Sequence, residues 1–580
     1  MKKTTIILLS CLVAAGAFSY YLLCSGIRLF HNGKSAYTIV LSEGASESEK
    51  TAAKELQQYV EQTGKVLLPI SNDLEVKGRK IFVGFNDKVA AITGEKAPDA
   101  DFEGFTCRTA GKDILIYGGS QRGTMYGVFD FLEKHLGVKW LTTSFTSVPS
   151  LKSLRLKSMD YSDRPFLRYR YSNYAVAGDP VWKAHNRENM DWGAISNGYG
   201  NLEGYWSAHT MGVFVPVEEF FHSHPEYFCL RDGKRYDGYG QLCLSNPEVL
   251  EICKTRLEKV MRELPLYRVY SLSQNDNQKY CQCEKCKALE DRYGGHSGIL
   301  LWFVNQVADA VREEFPDKFV GTFAYQYTRK PPVGIIPRDN VVIRLCSIEC
   351  CFAHPLEDVN CPENRKFMED IRKWSEIAPH LFIWDYIVDY AQFPAPWPNF
   401  QVLGPNIRTF GENKALGVFE EAHYQSAGGE FDEMKAWVVD KLLWNPDLDV
   451  DALVREFIFS YYGKSAPKVM EYYQLCKSLV KPDVHMGIFI DDKHEIYNDG
   501  FIHSAFDILG QAKDLAENDE IRERVERVTM QPLYLYYMRN KEKARSDGRW
   551  DELVTLMNRY QARPRESQSL EAFIAEQLND

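Results

Sequence analysis

The chain has 580 residues, with 45% hydrophobic and 26% charged residues, as is usual for soluble globular proteins. This length is sufficient for several domains with large cores. The net charge of −11 argues against nucleic acid or an anionic membrane surface as the binding partner. Aromatic residues make up 13% of the chain, which suits a carbohydrate-binding cleft but is also found in large cores.

Residues 1–24 are predicted to be an export signal. Lys2 and Lys3 precede an apolar run over residues 6–14, and small residues follow it. Leu8-Leu9-Ser10-Cys11 also fits a lipoprotein leader in which Cys11 would be lipidated, and an uncleaved anchor continuing to Cys24 is a third alternative. We therefore expect an exported protein in the periplasm or at the cell surface, with or without a lipid anchor.

Residues 36–157 are predicted to form a small α/β domain. Strands are expected at residues 37–41, 80–84 and 113–119, because these short apolar runs are bounded by turn residues. Residues 46–64 have the apolar periodicity of a helix that Gly64 ends, and a second helix follows Arg122. Strands interleaved with helices favour a layered α/β arrangement.

Residues 164–447 are predicted to form a (β/α)8 barrel. Strands and helical stretches alternate in this part of the chain, which is the pattern of such barrels. Strands are predicted at residues 166–171, 241–245, 269–272, 320–325, 341–349, 381–386 and 416–422. Helices are predicted at residues 303–315, 363–374 and 432–444, and residues 448–580 are predicted to be an α-helical domain.

Polar and aromatic residues gather where the predicted barrel strands end, which is where such barrels carry their chemistry. They are Asn275, Asp276, Tyr325, Glu349, Trp384, Asp385, Tyr386, Glu420, Glu421 and His423. Because strand residues alternate in direction, Glu420 and Glu421 cannot both face the interior. Ion pairs at loop ends are the alternative for any one acid, but several carboxyl groups beside Trp and Tyr suit glycoside hydrolysis.

Two stretches of the chain resemble known families. Residues 56–64, 81–84 and 118–140 resemble the non-catalytic α/β domain that precedes the barrel in glycoside hydrolase families 20 and 67. The motifs at residues 224–228, 241–247, 274–286 and 344–351 resemble the DUF4838 group, from which glycoside hydrolase family 163 of Bacteroides-type bacteria was drawn. This second resemblance spans residues 36–450 and implies an endo-β-N-acetylglucosaminidase that cuts the GlcNAc–GlcNAc core of complex N-glycans.

The resemblance implies a substrate-assisted retaining mechanism, in which the 2-acetamido group of the sugar attacks the anomeric carbon. Asp276 is predicted to be the general acid/base and Asn275 the partner of the acetamide, while Glu349 is the alternative acid. A general acid must stay protonated near neutral pH, which burial and neighbouring carboxylates favour.

The remaining candidate residues are expected to contact the substrate. Trp384 and Tyr386 are predicted to form the sugar platform and the wall of the acetamide pocket, or else to be core aromatics. His209 is a candidate substrate contact, with a structural hydrogen bond as its alternative. Tyr325, Asp385, Glu420 and Glu421 complete the predicted substrate-binding set.

Two other functions remain open at this point. An inverting glycosidase similar to the α-glucuronidases would use separated carboxylates such as Glu349 and Glu420, and Arg344 or Lys330 would meet the substrate carboxylate. A non-catalytic glycan-binding surface protein is the third possibility. In every case the expected partner is a glycan or glycoprotein, and no cofactor is expected.

Cysteines at Cys281, Cys283 and Cys286 are spaced compactly enough for a metal, but zinc usually takes four ligands. Candidates for the fourth ligand are Cys346, Cys350, Cys351, Cys361 and His296. A disulfide or buried thiols explain the same spacing, since export permits disulfides. The sequence alone therefore assigns no metal.

Overall fold

The computed structural model of the protein describes residues 26–193 and 196–579. The predicted export signal, including Cys11 and Cys24, lies outside these residues. The described chain divides into two compact units: residues 26–140, 144–165 and 196–201 form one, and residues 141–143, 166–193 and 202–579 form the other. The finer division at residues 157, 164 and 447 stays a prediction.

The first unit is built on a six-stranded sheet with helices. Its sheet order is β10-β5-β6-β4-β2-β3, and β2, β3, β4 and β6 pair in parallel. The strands of this unit are β1 (Ile27–His31), β2 (Tyr37–Val40), β3 (Ile70–Ser71), β4 (Arg79–Val83), β5 (Phe105–Ala110), β6 (Asp113–Gly118), β7 (Lys139–Trp140), β8 (Thr146–Ser147), β9 (Ser153–Leu156), β10 (Asp160–Asp163), and the hairpin β13 (Ser196–Asn197) and β14 (Gly200–Asn201). The helices are α1 (Glu47–Gly64), α2 (Asp87–Thr93) and α3 (Gly123–Phe131), which a π turn extends over Leu132–Leu136.

Helix α1 begins and ends for identifiable reasons. Ser46 and Glu49 form a capping box that satisfies the first backbone N–H groups. The residue with left-handed backbone is Lys65, at φ 53°, so Gly64 does not supply the turn that the sequence suggested. Gly64 is instead required by packing, because a Cβ atom there would lie 2.7 Å from the Phe30 ring.

The second unit contains an eight-stranded, nearly closed parallel barrel, which confirms the predicted fold. The strand order is β11-β22-β21-β20-β19-β18-β15-β12. The two ends approach each other, since the Asn189 N–H donates to the Arg170 carbonyl over 3.2 Å. The barrel strands are β11 (Tyr169–Ser172), β12 (Met190–Asp191), β15 (Glu203–Trp206), β18 (Tyr267–Ser271), β19 (Phe319–Ala324), β20 (Val341–Cys346), β21 (His380–Tyr386) and β22 (Ala415–Glu421), and a separate hairpin is formed by β16 (Leu230–Arg231) and β17 (Lys234–Arg235).

Helices lie between the barrel strands and continue past them. Those up to residue 444 are α4 (Pro180–His185), α5 (Met211–Phe214), α6 (Val217–Phe220), α7 (Pro247–Glu263), α8 (Glu284–Tyr293), α9 (His296–Val311), α10 (Pro362–Ile377), α11 (Phe400–Glu412) and α12 (Asp432–Trp444). The C-terminal region adds α13 (Val450–Tyr461), α14 (Ala466–Lys477), α15 (Asp499–Asp514), α16 (Asp519–Arg539), α17 (Lys541–Ser546), α18 (Arg549–Arg559) and α19 (Leu570–Asn579). Within residues 26–193 and 196–579, no helix combines the length and apolar character that crossing a bilayer requires.

The C-terminal helices pack directly on the barrel layer of the second unit. Arg527 of α16 makes ion pairs with Asp432 and Glu433 in the first turn of α12. Acidic side chains in the first turn interact favourably with the helix dipole, and Arg527 adds a positive charge that faces them. The predicted helical C-terminal region is therefore confirmed as part of the fold.

One predicted barrel strand is wrong. Residues 241–245 pair with nothing except through an isolated bridge between Phe228 and Leu242. The Gln241 side chain instead bonds the backbone of the loop after β18, at Asn275 and Asn277. The apolar pattern that indicated a strand thus belongs to a loop buried against another loop.

Candidate active site

An open cavity of about 710 Å³ lies at the carboxyl ends of the barrel strands. Three carboxylic acids line it: Asp276 after β18, Glu421 at the end of β22, and Glu566 from the C-terminal region. The remaining wall is mainly aromatic, from residues Trp192, Trp206, Phe323, Tyr325, Trp384, Tyr386, Tyr390, Phe419 and Phe489. Carboxyl groups among aromatic rings at this end of a barrel are the arrangement that glycoside hydrolysis requires.

Asp276 is exposed to the cavity and held by Tyr325. The Tyr325 hydroxyl donates to Asp276 Oδ1 over 3.0 Å and accepts from Gln326 Nε2 over 2.8 Å. Burial, together with the Asp276 carboxylate, raises the pKa of Tyr325, so its hydroxyl keeps its proton. Gln326 adopts a left-handed backbone at φ 49°, a costly conformation that functional sites often retain.

Asn275 is adjacent in sequence but does not line the cavity. Its Nδ2 donates to the Gly240 carbonyl over 2.6 Å, and its Oδ1 accepts from the Gly212 N–H over 2.8 Å. The Asn275 N–H donates to Gln241 Oε1. Both halves of this amide are therefore used to fasten two loops, which leaves its predicted role as acetamide partner without a free group.

Glu421 is a cavity-lining carboxyl group whose pKa the protein raises into the range that suits a general acid. Its Oε2 accepts from Trp384 Nε1 over 2.6 Å. Burial raises the pKa of Glu421 to about 8; the Trp384 bond opposes that shift, and the charges of Glu566 and Asp276 reinforce it. Glu421 is therefore mainly protonated near neutral pH, as a general acid must be.

Glu420 and Asp385 form a second carboxyl pair below the cavity, and neither lines it. Both side chains are buried, and the Ser347 hydroxyl donates to Asp385. Burial raises the pKa of both carboxyl groups; Asp385 raises the pKa of Glu420 further, whereas hydrogen bonds with Ser347, the Tyr386 backbone and Glu420 partly lower that of Asp385. Two close buried carboxyl groups cannot both ionise readily, so the pair holds at least one proton near neutrality.

Glu349 does not line the cavity, although the preceding residue, Ile348, does. Its Oε2 accepts from Arg329 over 2.6 Å, and the other side of the same guanidinium bonds Asp370 over 2.8 Å. Glu349 is exposed, whereas Asp370 is buried. The alternative general acid of the sequence analysis is thus placed in an ion pair at the loop end.

The aromatic wall has a buried cation beneath it. Trp384 packs on Phe419 with ring centroids 4.7 Å apart, and Trp192 lies 5.6 Å from Trp384. Arg344 is buried behind these rings, with its guanidinium carbon 3.7 Å from the centre of the Tyr205 ring. Burial lowers the pKa of Arg344 below its usual range, and cation–π contacts offset part of that cost.

The loop after β15 brings His209 to the cavity, together with Ser207. Both have left-handed backbone, at φ 60° for Ser207 and φ 53° for His209. His209 Nδ1 lies 2.8 Å from the Gln274 carbonyl oxygen, which fixes the ring beside Tyr325. His209 therefore makes the structural hydrogen bond and also lines the cavity, and its substrate contact stays a prediction.

Of the residues predicted from sequence, Asp276, Tyr325, Trp384, Tyr386, Glu421 and His209 line one cavity, whereas Asn275, Glu349, Asp385 and Glu420 do not. Sequence reasoning missed Ile488, Phe489 and Glu566. These residues lie more than sixty positions beyond the last barrel strand, and no local pattern marks them.

The described residues that line the cavity include no Lys and no Arg. Lys330, one of the two candidates for binding a substrate carboxylate, is exposed and lies outside that lining. Arg344, the other candidate, is separated from the cavity by the rings that contact both. The cavity therefore presents a field from acids without a facing cation.

The three clustered cysteines gain a fourth neighbour that sequence spacing did not indicate. Cys243, Cys281, Cys283 and Cys286 lie together, and none of the fourth-ligand candidates named from the sequence joins this group. All twelve described cysteines are free thiols. The sequence pattern predicts Cys243 in a barrel strand. It lies instead in the loop that packs on residues 275–286, which is why the sequence did not indicate it as the fourth cysteine.

Two family models match this chain. A family model described as "Domain of unknown function (DUF4838)" matches residues 140–474, which is more than half of the chain. A second, "Glycosyl hydrolase family 67 N-terminus", matches residues 25–131. A probable α-glucuronidase A of Aspergillus terreus is 27% identical over 189 residues, covering 32% of this chain but only 19% of that relative.

Two solved glycoside hydrolases share the fold of this chain. A family GH115 4-O-methyl-α-glucuronidase with specificity for decorated arabinogalactans superposes with a TM-score of 0.56 at 11% identity, covering 91% of this chain and 76% of that one. A family GH89 enzyme from Clostridium perfringens, bound to its substrate GlcNAc-α-1,4-galactose, superposes with a TM-score of 0.51 at 9% identity, covering 88% and 64%. The chain is glycoside hydrolase-like, and by the match over residues 140–474 it belongs to the DUF4838 family.

Proposed function

We propose that this protein is a glycoside hydrolase that cleaves the bond beside a neutral, N-acetylated sugar, with the GlcNAc–GlcNAc core of complex N-glycans as its substrate. The observation that carries the proposal is a protonated Glu421 in the same cavity as the Tyr325-bound Asp276, within walls of aromatic rings. A sugar with an acetamido group needs an acid for the leaving oxygen and a hydrogen-bond acceptor for its amide N–H.

The role of Glu421 follows from its protonation, and that of Asp276 from its position in the same cavity. Glu421 gives its proton to the glycosidic oxygen, since its pKa of about 8 keeps it protonated near neutral pH. Asp276 accepts the acetamide N–H and thereby directs the acetamide oxygen at the anomeric carbon. Tyr325, whose hydroxyl already bonds Asp276, holds that carboxylate in position. This assignment moves the acid role from Asp276 to Glu421 and takes the acetamide role away from Asn275.

An α-glucuronidase-like activity is the second candidate, because the chain shares sequence with an α-glucuronidase and its N-terminal segment matches the family 67 model. The charge of the cavity argues against it. A uronate would face the acids Asp276 and Glu566, with no described Lys or Arg among the lining residues. Like charges within one cavity cost binding free energy unless a cation is added.

We further propose that the protein acts outside the cytoplasm, because residues 1–24 have the charged start and apolar run of an export signal. Intact-mass measurement of the protein purified from its host's envelope tests this. A mature chain that begins at a lipidated Cys11 indicates a lipid anchor, and a chain that still begins at Met1 contradicts processing.

The experiment for the main proposal is incubation with two substrates in parallel. One is a glycoprotein carrying complex N-glycans, and the other is a glucuronate-substituted polysaccharide, each followed by mass spectrometry of the products. We expect oligosaccharides ending in one reducing GlcNAc from the first and no uronic acid from the second. Glu421→Gln is the inactive control. Release of uronic acid alone would establish the second candidate, and retention of glycan with no product would indicate a binding protein.

A further inference from the structure

Four cysteines from two chain segments, one at residue 243 and one over residues 281–286, meet beside the loop that carries Asp276. The Sγ atoms of Cys243, Cys281, Cys283 and Cys286 all lie within 4.8 Å of one another. Cys243 Sγ is 3.7 Å from Cys283 Sγ and 3.8 Å from Cys286 Sγ. A disulfide would need sulfurs about 2.05 Å apart, so these are separate thiols.

The spacing matches a tetrahedral metal site. Zinc binds thiolate sulfur at about 2.3 Å, which places two ligands of a regular tetrahedron about 3.8 Å apart. The two measured Sγ–Sγ distances have this value. Four sulfurs that are mutually close in all pairs surround a common centre with room for an ion. Thiols that merely filled space would have no reason to adopt this arrangement.

The surroundings of the sulfurs suit negative charge. The Cys286 N–H donates to Cys283 Sγ over 3.5 Å, and the Leu230 N–H donates to Cys281 Sγ over 3.3 Å. The Arg235 guanidinium lies 4.0 Å from Cys281 Sγ. Backbone donors and a nearby cation are the outer-shell groups that stabilise thiolate ligands of a metal.

We propose that Cys243, Cys281, Cys283 and Cys286 bind one zinc ion as a closed, four-thiolate structural site. A site with four protein ligands leaves no position for substrate, so the ion is separate from the hydrolytic chemistry. Its effect is mechanical. Cys243 follows Gln241, whose side chain bonds the backbone of Asn275 and Asn277, so the ion ties both sides of the loop that presents Asp276.

A second, independent group has two cysteines and two histidines. Cys351, His354, Cys361 and His485 have their ligand atoms within 4.8 Å of one another. Cys351 Sγ lies 3.4 Å from His354 Nδ1, and Cys361 Sγ lies 3.8 Å from His485 Nδ1. The corresponding edge of a tetrahedral zinc site, with Zn–N of about 2.0–2.1 Å, is about 3.6 Å.

The outer shell of this second group fixes one histidine for metal binding. His354 Nε2 lies 3.0 Å from the Pro482 carbonyl oxygen, so that nitrogen carries the hydrogen and Nδ1 is free to bind a metal. The Glu363 carboxylate is a neighbouring acid, 3.7 Å from His485 Nδ1. We infer a second zinc site here, which joins the loop after β20 to the segment that carries Phe489 to the cavity.

The test is the metal content of the purified full-length chain after removal of loosely bound ions. We expect about two equivalents of zinc per chain, since closed sites of this type bind tightly. Cys243→Ser and Cys351→Ser should each lose about one equivalent. The matched control is Cys253→Ser, because Cys253 is a buried thiol of α7 outside both groups, and it should keep both ions.

A second measurement uses only the unaltered protein. Ligand cysteines should resist alkylation in the native state and become modified after a strong chelator is added, with the sites identified by peptide mass spectrometry. Replacement of zinc by Co²⁺ should give the visible absorption of tetrahedral cobalt–thiolate, with different spectra for the two ligand sets. Disulfides among these cysteines, or a chain that takes up no zinc when zinc is supplied, would overturn the proposal.

Discussion

At the scale of single residues, neighbouring carboxyl groups on β22 have opposite surroundings because strand side chains alternate. Glu420 points into the buried pair with Asp385, whereas Glu421 reaches the cavity and bonds Trp384. The sequence predicted that only one of the two could face inward, but the choice depends on strand register. Register within a barrel is set by contacts across several strands, which a single stretch does not contain.

The proposed roles of Glu421 and Asp276 are separable by leaving group. Glu421→Gln should lower kcat on the glycoprotein by roughly 10²–10⁴-fold but spare an activated nitrophenyl glycoside, whose leaving group needs no proton. Asp276→Asn should lower kcat on both substrates by roughly 10²–10³-fold, because the acetamide is no longer directed. The reverse pattern would return the acid role to Asp276. A loss for Glu349→Gln comparable with that of Glu421→Gln would restore Glu349 as the acid.

The alkaline limb of the pH–rate profile should report the pKa of Glu421. Activity is present while Glu421 is protonated and falls as pH rises through about 8. The Trp384 N–H stabilises the carboxylate and so lowers this pKa, and Trp384→Phe should therefore move the limb to higher pH. Trp206→Phe alters the same wall without touching Glu421 and serves as the control. A limb that stays fixed in Trp384→Phe would exclude Glu421 as the titrating group.

At the scale of elements, the position of the loop after β18 was predictable from the sequence, but the roles of its residues were not. The strand before it and the placement of Asp276 beyond its end follow from a buried apolar run leading into polar residues. The roles within the loop did not follow. Asn275 fastens Gly240 and Gly212, and its partners are separated from it by 35 and 63 positions, so no local pattern contains them.

Asn275→Ala should therefore act on stability before chemistry. It leaves the buried Gly240 carbonyl and Gly212 N–H without partners, which should lower the free energy of unfolding by roughly 2–4 kcal/mol. Denaturant unfolding monitored by fluorescence measures the change, and Gln278→Ala, on the exposed side of the same loop, is the control. An unchanged unfolding midpoint combined with lost activity would instead support a direct role of Asn275 at the substrate.

The early barrel strands show why the middle of the fold was harder to predict. β12 has two residues and β15 has four, too few for a period-2 pattern to appear. The cavity receives Trp192 from the loop after β12 and Trp206 from the end of β15, and the shape of the long loops around these strands depends on tertiary contacts. The longer strands β19 to β22 and the C-terminal helices were predicted to within a few residues, because each is apolar and periodic; β20, predicted over residues 341–349, ends at Cys346, so Glu349 lies in the loop that follows.

At the scale of the whole molecule, the cavity is assembled from segments almost 400 positions apart, from Asn173 to Glu566. Glu566 enters from the C-terminal region and adds negative charge near Glu421. Such contacts cannot be read from composition or periodicity, since they arise only when the helical region packs on the barrel. The overall order of barrel and helices was nonetheless predictable from alternation alone.

Glu566→Gln should shift the alkaline limb in the direction opposite to Trp384→Phe. The Glu566 charge raises the pKa of Glu421, so its removal should lower that pKa and move the limb to lower pH. The shift should shrink as salt is added, because Glu566 is exposed and its interaction is screened. Glu576→Gln, which removes an equal charge outside the cavity lining, is the control. Equal profiles for both variants would remove Glu566 from the electrostatics of the site.

The participation of Ile488, Phe489 and Glu566 has a practical consequence for anyone who trims the gene. A fragment cut to residues 140–474, the extent of the DUF4838 match, would keep all eight barrel strands but would lack the part of the cavity lining that Ile488, Phe489 and Glu566 supply. Such a fragment would also expose apolar helix faces that the removed helices cover. Fragments cut at the ends of the family match would therefore be inactive because part of the cavity is absent, even though Asp276 and Glu421 are present.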